Sequence, residues 1–394
     1  MIHFKNKKIL LGISGGIAAY KTAGLVREWI KAGAEVEIVM TKSAQEFITS
    51  LTMETLIGRQ VHTHLFPKNQ FSATIHVDLA DWADVVIIAP ATANIIGKIR
   101  QGIGDDLLST ICLAAHRNMV IAPAMNSNMW LNPAVQENIR ILEDRGYLII
   151  PPDSGDLACG YTGQGRLPDS WVLNHWLSFK LQGNKSLAGK NVIVTAGRTE
   201  EPFDPARIIT NRSSAKMGFA LAKEAFYRGA NVVLISGPNN LATPNGIKYI
   251  TINTAAEMYK AVEKNWKETD VFISAAAVSD YRPKTQLKQK MKKSAADFNI
   301  NFVANPDILA LFAKKKEKRT LIGFAVETEN ERDNALTKMK KKKLDMIVVN
   351  NPLKKGSGFS TDTNQVTIYK KDGQELKLPL LQKDEVAAKI LDAM

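Results

Sequence analysis

Residues 7–14, "KKILLGIS", and the stretch behind them, "GGIAAYKTAGLVREWIKAG" (15–33), decide the fold. The first reads as a buried strand, an unbroken apolar run led in by lysines. The second opens on a Gly-Gly turn, carries apolar residues at helical spacing, and is closed by Gly33. Strand, glycine turn and helix in that order build a parallel sheet, because parallel neighbours need a crossover helix between them. "AEVEIVMT", "ADVVIIAP", "NMVIAPAM" and "GYLIIPPD" supply further strands, and "WVLNHWLSFKLQGNKSLAGK" a closing helix with a polar linker near 183–189.

The grammar then restarts. "KNVIVTAGRT" (190–199) repeats the lysine lead, apolar strand and glycine turn, and "ANVVLISGPN", "DVFISAAAVSDY", "TLIGFAVET" and "LDMIVVNN" follow as strands. "NQVTIYKKDGQELKLP" alternates about Asp372-Gly373 and predicts a hairpin. The 394 residues therefore predict an α/β protein of two doubly wound domains in series, 1–185 and 190–394.

Charge divides at the same place. Residues 1–180 hold 16 Lys+Arg and 16 Asp+Glu; the remainder hold 36 and 23, and with them the whole net charge of +13. A neutral half joined to a basic half predicts a polyanionic small molecule rather than nucleic acid, for which zinc-knuckle spacing and aromatics among the lysines are lacking. The two cysteines, Cys112 and Cys159, cannot build a disulfide framework. With neither a signal-peptide pattern nor an apolar run near the ~18 residues that cross a bilayer, the chain is expected to be cytoplasmic.

Ser14, Gly15 and Gly16 stand where a phosphate would meet a helix N-terminus. The spacing is not G-x-G-x-x-G, and Thr41, Lys42 and Ser43 replace the acidic residue that a nicotinamide ribose wants, so a mononucleotide is expected. His76, Asn126 and Cys159 are expected in loops at strand ends, the last in the glycine-rich "DSGDLACGYTGQGR" (153–166). Cys112, in an apolar run, is expected in the core.

"SGGIAAYK", "IHVDLADWADVVIIAPATAN", "APAMN" and "ACGYTGQGR" resemble the flavin-dependent cysteine decarboxylases. "AGRTEEPFDPARIITNRSSAKMGFALA", "SAAAVSDYRP", "KMKK" and "IGFAVET" resemble phosphopantothenate–cysteine ligases, so the chain is similar throughout to the bacterial bifunctional proteins of coenzyme A synthesis. That resemblance implies a flavodoxin-like flavin domain followed by a Rossmann-like ligase domain. It implies FMN held by Ser14, Gly15, Gly16, Thr41, Ser43, Thr92 and Asn94. His76 would be the base for thiol oxidation, Asn126 would orient the carboxylate, and Cys159 would return a proton after carbon dioxide leaves. The loop's glycines at 155, 160, 163 and 165 would let it open and close.

In the second half the resemblance implies CTP with Mg²⁺. Ser274, Ala275, Ala276, Asp280, Asn305, Pro306, Asp307, Ile308, Phe324, Lys338 and Lys342 would bind the nucleotide, with Asp280 toward the metal. Asn211 would bind the acyl-phosphate oxygen and Lys290 would cover the reacting phosphate. Lys338 and Lys342, four apart, share a helix face. The run 314–319 matches no motif and is expected to be a solvated face. Two departures stand out: Ala215 where the family has glycine, tolerable only at negative φ, and Arg198 with Glu200 where "AGPTRE" is usual. The partners implied are 4'-phosphopantothenate, cysteine and CTP, in a homo-oligomer of trimers and dimers amounting to a dodecamer. The alternatives are a peptidyl-cysteine decarboxylase, to which a ligase half is useless, and a non-enzymatic nucleotide-binding regulator, which leaves His76, Asn126 and Cys159 unexplained.

Overall fold

The computed structural model describes residues 2–66, 74–115, 118–156, 160, 162–292, 299–358 and 360–394. The chain forms two compact units, divided between Gly183 and Asn184.

The first unit contains β1 (Lys8–Ile13), α1 (Thr22–Lys31), β2 (Glu35–Met40), α2 (Ser50–Ile57), α3 (Ile75–Trp82), β3 (Val85–Ala91), α4 (Ala93–Gln101) and α5 (Leu107–Ala114). It continues with β4 (Met119–Pro123), α6 (Ser127–Trp130), α7 (Pro133–Asp144), β5 (Leu148–Ile149), β6 (Asp153–Asp156), β7 (Thr162–Arg166) and α8 (Ser170–Leu181). The five-stranded sheet runs β2-β1-β3-β4-β5, all parallel. Side chains alternate across each strand. Ile9, Leu11, Ile13, Val85 and Ile87 pack with Trp29 and Leu177 on one face, while Leu10, Val86 and Ile88 pack with Ile95, Leu108 and Ile139 on the other. Cys112 lies in that second core, and its burial pushes the thiol pKa far up.

The second unit contains β8 (Asn191–Ala196), β9 (Glu200–Asp204), β10 (Arg207–Thr210), α9 (Lys216–Tyr227), β11 (Asn231–Ser236), β12 (Lys248–Thr251), α10 (Ala255–Asn265) and β13 (Val271–Ser274). Next come β14 (Tyr281–Pro283), β15 (Phe302–Ala304), α11 (Ile308–Ala313), β16 (Thr320–Val326), α12 (Glu331–Lys341) and β17 (Met346–Asn350). β18 (Thr363–Asn364), β19 (Val366–Lys370), β20 (Glu375–Lys377), β21 (Leu381–Gln382) and α13 (Lys383–Asp392) complete it. Its eight-stranded sheet runs β12-β11-β8-β13-β16-β17-β19-β20, parallel through β17, with the hairpin about Asp372-Gly373 adding two antiparallel strands. In chain order the six parallel strands lie 3-2-1-4-5-6.

Both orders reverse at one place, between β1 and β3 in the first unit and between β8 and β13 in the second. Ligands of doubly wound sheets bind in the crevice there, beyond the carboxyl ends of the strands. Among the described residues no helix is long and apolar enough to cross a membrane.

Candidate functional site

In the first unit a chain of hydrogen bonds ties the strand-end loops together. Ser14 Oγ donates to the Pro90 carbonyl (2.7 Å) and accepts from the Thr92 N–H (3.0 Å). The Ala124 N–H donates to Ala91 O (2.9 Å), and the Met125 N–H to Gly165 O (2.9 Å). The loops after β1, β3 and β4 and strand β7 are thereby held as one surface. Ser14 is a strut in it, its hydroxyl reaching both the Pro90 carbonyl and, at 3.3 Å, Thr92 Oγ1.

Glycine matters here at two positions for different reasons. A Cβ on Gly15 would lie 2.3 Å from Ser43 Cβ, so only glycine lets the β1 and β2 loops meet. Gly16, in extended backbone, would meet nothing nearer than Thr92 Cγ2 at 3.6 Å. The fold does not need glycine there, and its bareness leaves a niche walled by Thr92. Thr92 caps α4 without a side-chain hydrogen bond, and Asn94 is exposed in that helix's first turn. Thr41 accepts from the Ala44 N–H (3.2 Å), leaving its hydroxyl proton to donate. Open backbone, a helix N-terminus and hydroxyl donors fit a phosphate-bearing group.

Asn126 follows β4, as expected, and caps α6 through Oδ1 to the Asn128 N–H (2.8 Å). His76 differs from expectation. It lies half-buried in the first turn of α3, not in a loop. Cys159 lies outside the described residues. On either side of the undescribed residues, Asp153–Asp156 and Thr162–Arg166 pair as the antiparallel strands β6 and β7. Gly165 (φ +142°) is there for close approach, not freedom: a Cβ would stand 2.2 Å from Met125 O.

In the second unit a cleft of about 120 Å³ opens at the switch point, lined by Ser213–Gly218, Ala275, Ala276 and Phe324 among others. Ser274 ends β13 beneath it. Lys338 donates to the Phe324 carbonyl (3.0 Å), and Lys342 pairs with Asp307 (2.7 Å). Both lysines thus turn one helix face toward β16 and the start of α11. Burial, then neighbouring Lys342, lowers the Lys338 pKa. Burial opposes ionisation of Asp307, but Lys342 and the Ala310 N–H hold its carboxyl below the usual range.

Asn305, before Pro306, donates through Nδ2 to Ser279 O (2.8 Å) and through its N–H to Asp280 O (2.8 Å). Asn211 Nδ2 donates to Val278 O (3.0 Å). Asp280, exposed, and Asn211 therefore flank the segment running out of β13, while Asp307 caps α11, which begins at Ile308. No group of three or more His, Cys, Asp or Glu suited to a metal occurs among the described residues. Lys290 is exposed on the segment after β14.

Sequence reading missed the floor of the cleft. Ser213–Lys216 precede and open α9, and the doubled serine before an apolar helical run was the available signal. Lys216 pairs with Asp362 (2.5 Å), and buried Lys383 donates to Gly358 O (3.2 Å). Burial, then Lys216, pushes the Lys383 pKa down to about 8. Ala215 has φ +63°, the conformation that its expected tolerance excluded. Arg198 pairs with Glu200 (3.0 Å) and reaches Ser213 O (3.4 Å), so that departure braces the cleft. The run 314–319 is structural: Lys316 pairs with Asp345 (2.6 Å), and Arg319 lies over the Trp266 ring.

Residues 3–176 match the Flavoprotein family, and residues 187–394 match the DNA/pantothenate metabolism flavoprotein C-terminal domain. The Coenzyme A biosynthesis bifunctional protein CoaBC of Bacillus subtilis is 44% identical over 98% of this chain and 96% of its own length. That of Vibrio parahaemolyticus is 46% identical over 98% of each. A solved structure of the C-terminal domain of a CoaBC is 40% identical over 54% of this chain and 96% of that one, with a TM-score of 0.46. With two switch-point sites in series and likeness running the whole length of both chains, the protein belongs to the family of bifunctional coenzyme A biosynthesis enzymes, an α/β flavoprotein unit joined to a ligase unit.

Proposed function

We propose that the second unit joins 4'-phosphopantothenate to cysteine at the expense of CTP, and that the first unit decarboxylates the product at an FMN site. The observation that carries this reading is the cleft at the second switch point, with Lys216 and Lys383 in its lining, paired with the donor-rich niche at the first.

In the ligase half, a carboxylate oxygen of phosphopantothenate attacks the α-phosphorus of CTP. A P–O bond forms, the bond to the β-phosphate breaks, and pyrophosphate leaves. The cysteine amine then displaces CMP from the acyl carbon, leaving an amide and a proton. Lys338 and Lys342 would receive phosphates, and an incoming anion would favour the charged form that burial disfavours on Lys338. Asp280 would share Mg²⁺ with phosphate oxygens, since Mg²⁺ is content with one carboxylate and a substrate. Asn211 would donate to the acyl-phosphate oxygen and Lys290 to the departing phosphates as charge develops. Ala275, Ala276 and Phe324 would shape the wall against the base.

In the first unit Ser43, Thr41, Thr92, Asn94 and the backbone of Gly15 and Gly16 would hold FMN, with Ser14 keeping the two loops in register. Bound there, FMN would supply a two-electron acceptor for oxidation of the substrate's thiol-bearing carbon and a two-electron donor once carbon dioxide has left. His76 would take the thiol proton. Asn126, whose Oδ1 accepts from the Asn128 N–H, would orient the substrate carboxylate for loss. Cys159 would supply the proton that completes the saturated thiol.

The test is a paired assay on the purified chain. It should be yellow, release pyrophosphate when given CTP, phosphopantothenate and cysteine, and release carbon dioxide from phosphopantothenoylcysteine. Lys290→Gln should slow the first reaction by roughly tenfold or more and leave the second unchanged. A colourless protein, or equal loss of both activities, contradicts the two-site reading.

A further inference from the structure

Lys290 is exposed and lies outside any helix or strand, so something other than secondary structure must aim it. The next peptide is held at both ends. The Met291 N–H donates to Asp204 Oδ2 (3.2 Å), and the Met291 carbonyl accepts from Arg207 Nη2 (3.3 Å). Asp204 and Arg207 are themselves ion-paired at 3.3 Å. Three residues upstream of Lys290, the Leu287 N–H donates to Phe203 O (3.0 Å). The β9–β10 hairpin therefore grips the segment on both sides of Lys290.

Asp204 divides its work between two oxygens. Oδ1 accepts from the Ala206 and Arg207 N–H groups (2.8 Å each), which closes the hairpin turn. Oδ2 is not needed by the turn and faces Met291 and the Arg207 guanidinium. The carboxylate is fully buried. Burial alone would raise its pKa, but three backbone N–H groups and Arg207 hold it below the usual range, so it is charged at neutral pH. A buried carboxylate at this depth needs acceptor duty for both oxygens, and one of its four contacts, the Met291 N–H on Oδ2, lies on the Lys290 segment.

We propose that Asp204 is a positioning residue for ligation, holding the Met291 peptide so that Lys290 reaches the reacting phosphates. The inference rests on the role given to Lys290 above. Asp204→Asn separates Asp204's two tasks. Asn keeps an Oδ1 for the turn and presents an NH₂ to the Met291 N–H and to Arg207, donor against donor. Losing a hydrogen bond to a charged group should lower kcat for pyrophosphate release by roughly tenfold to a hundredfold. The KM for CTP should stay within about twofold, because a phosphate contact that matters only in the transition state leaves ground-state binding alone.

The decisive measurement is the double variant. Combined with Lys290→Gln, Asp204→Asn should add no further loss of ligation, since both remove the same contact; carbon dioxide release should match the parent. Met291→Pro deletes the N–H from the other side while leaving the carboxylate its charge and its contacts to the turn and Arg207, and should reproduce the effect if Asp204→Asn folds poorly. Multiplying losses in the double variant, or full-rate ligation by Asp204→Asn or Met291→Pro, overturns the positioning role while sparing that of Lys290. Full-rate ligation by Lys290→Gln overturns both.

Discussion

Ala215 begins α9 in left-handed backbone and is only 4% exposed. A left-handed alanine costs roughly 1–2 kcal/mol, and burying its methyl group returns about 0.8 kcal/mol, so alanine is close to neutral here. The residue that fails is a β-branched one, whose second Cγ has no room at positive φ. Ala215→Val should lower stability by about 2 kcal/mol or more in urea unfolding, a size reserved for strained or overpacked sites. A loss below roughly 0.5 kcal/mol would mean that the cleft floor relaxes freely. The motif residue at this position was visible in the sequence. Its φ was not, because the backbone angle is set by how α9 docks on β8, a contact that local residues do not encode.

At the scale of elements, strands and helices were legible because buried strands such as β1 and β3 are unbroken apolar runs, while α1 and α7 repeat their apolar residues near every fourth position. The switch points followed from strand order, which emerges only once the strands pair. What the sequence concealed was contact between distant backbones. Met125 and Gly165 are forty residues apart and meet through an N–H and a carbonyl, so no side-chain pattern announces the meeting. The glycines of 153–166 invited a reading of looseness, and for Gly165 the cause is crowding. Gly165→Ala tests this. Its Cβ cannot sit 2.2 Å from Met125 O, so β7 must leave the Asn126 loop. Carbon dioxide release should fall at least tenfold, since a displacement of about 1 Å at a reacting group costs on the order of a hundredfold, while pyrophosphate release stays intact. An unimpaired decarboxylase would show that Asn126 does not depend on the hairpin. The His76 misplacement has a similar origin: "IHVDLADW" is too short a helical run to reveal where its first turn begins.

At the scale of the molecule, composition already foretold a division, because all the net positive charge falls after residue 180. The packing agrees with it. Two apolar clusters lie on the faces of the first sheet and two on the faces of the second, and each cluster draws its buried residues from one unit only. Leu187 and Lys185 belong to the second unit, Leu187 in its core and Lys185 donating to Tyr227 O (2.8 Å), so most of the polar linker is not free chain. A core that borrows nothing across a boundary should survive a cut there. Residues 1–183 and 184–394, produced separately, should therefore each fold. The first should bind flavin and release carbon dioxide, and the second should release pyrophosphate with CTP, each within about threefold of the full chain, the scatter expected when no contact to the reacting atoms is lost. The assembly implied by the family resemblance adds a sharper requirement, that the first piece would sediment as a trimer and the second as a dimer. If either piece is inactive although folded, its site must be completed by residues of the other, and the two reactions would then have to be understood as one.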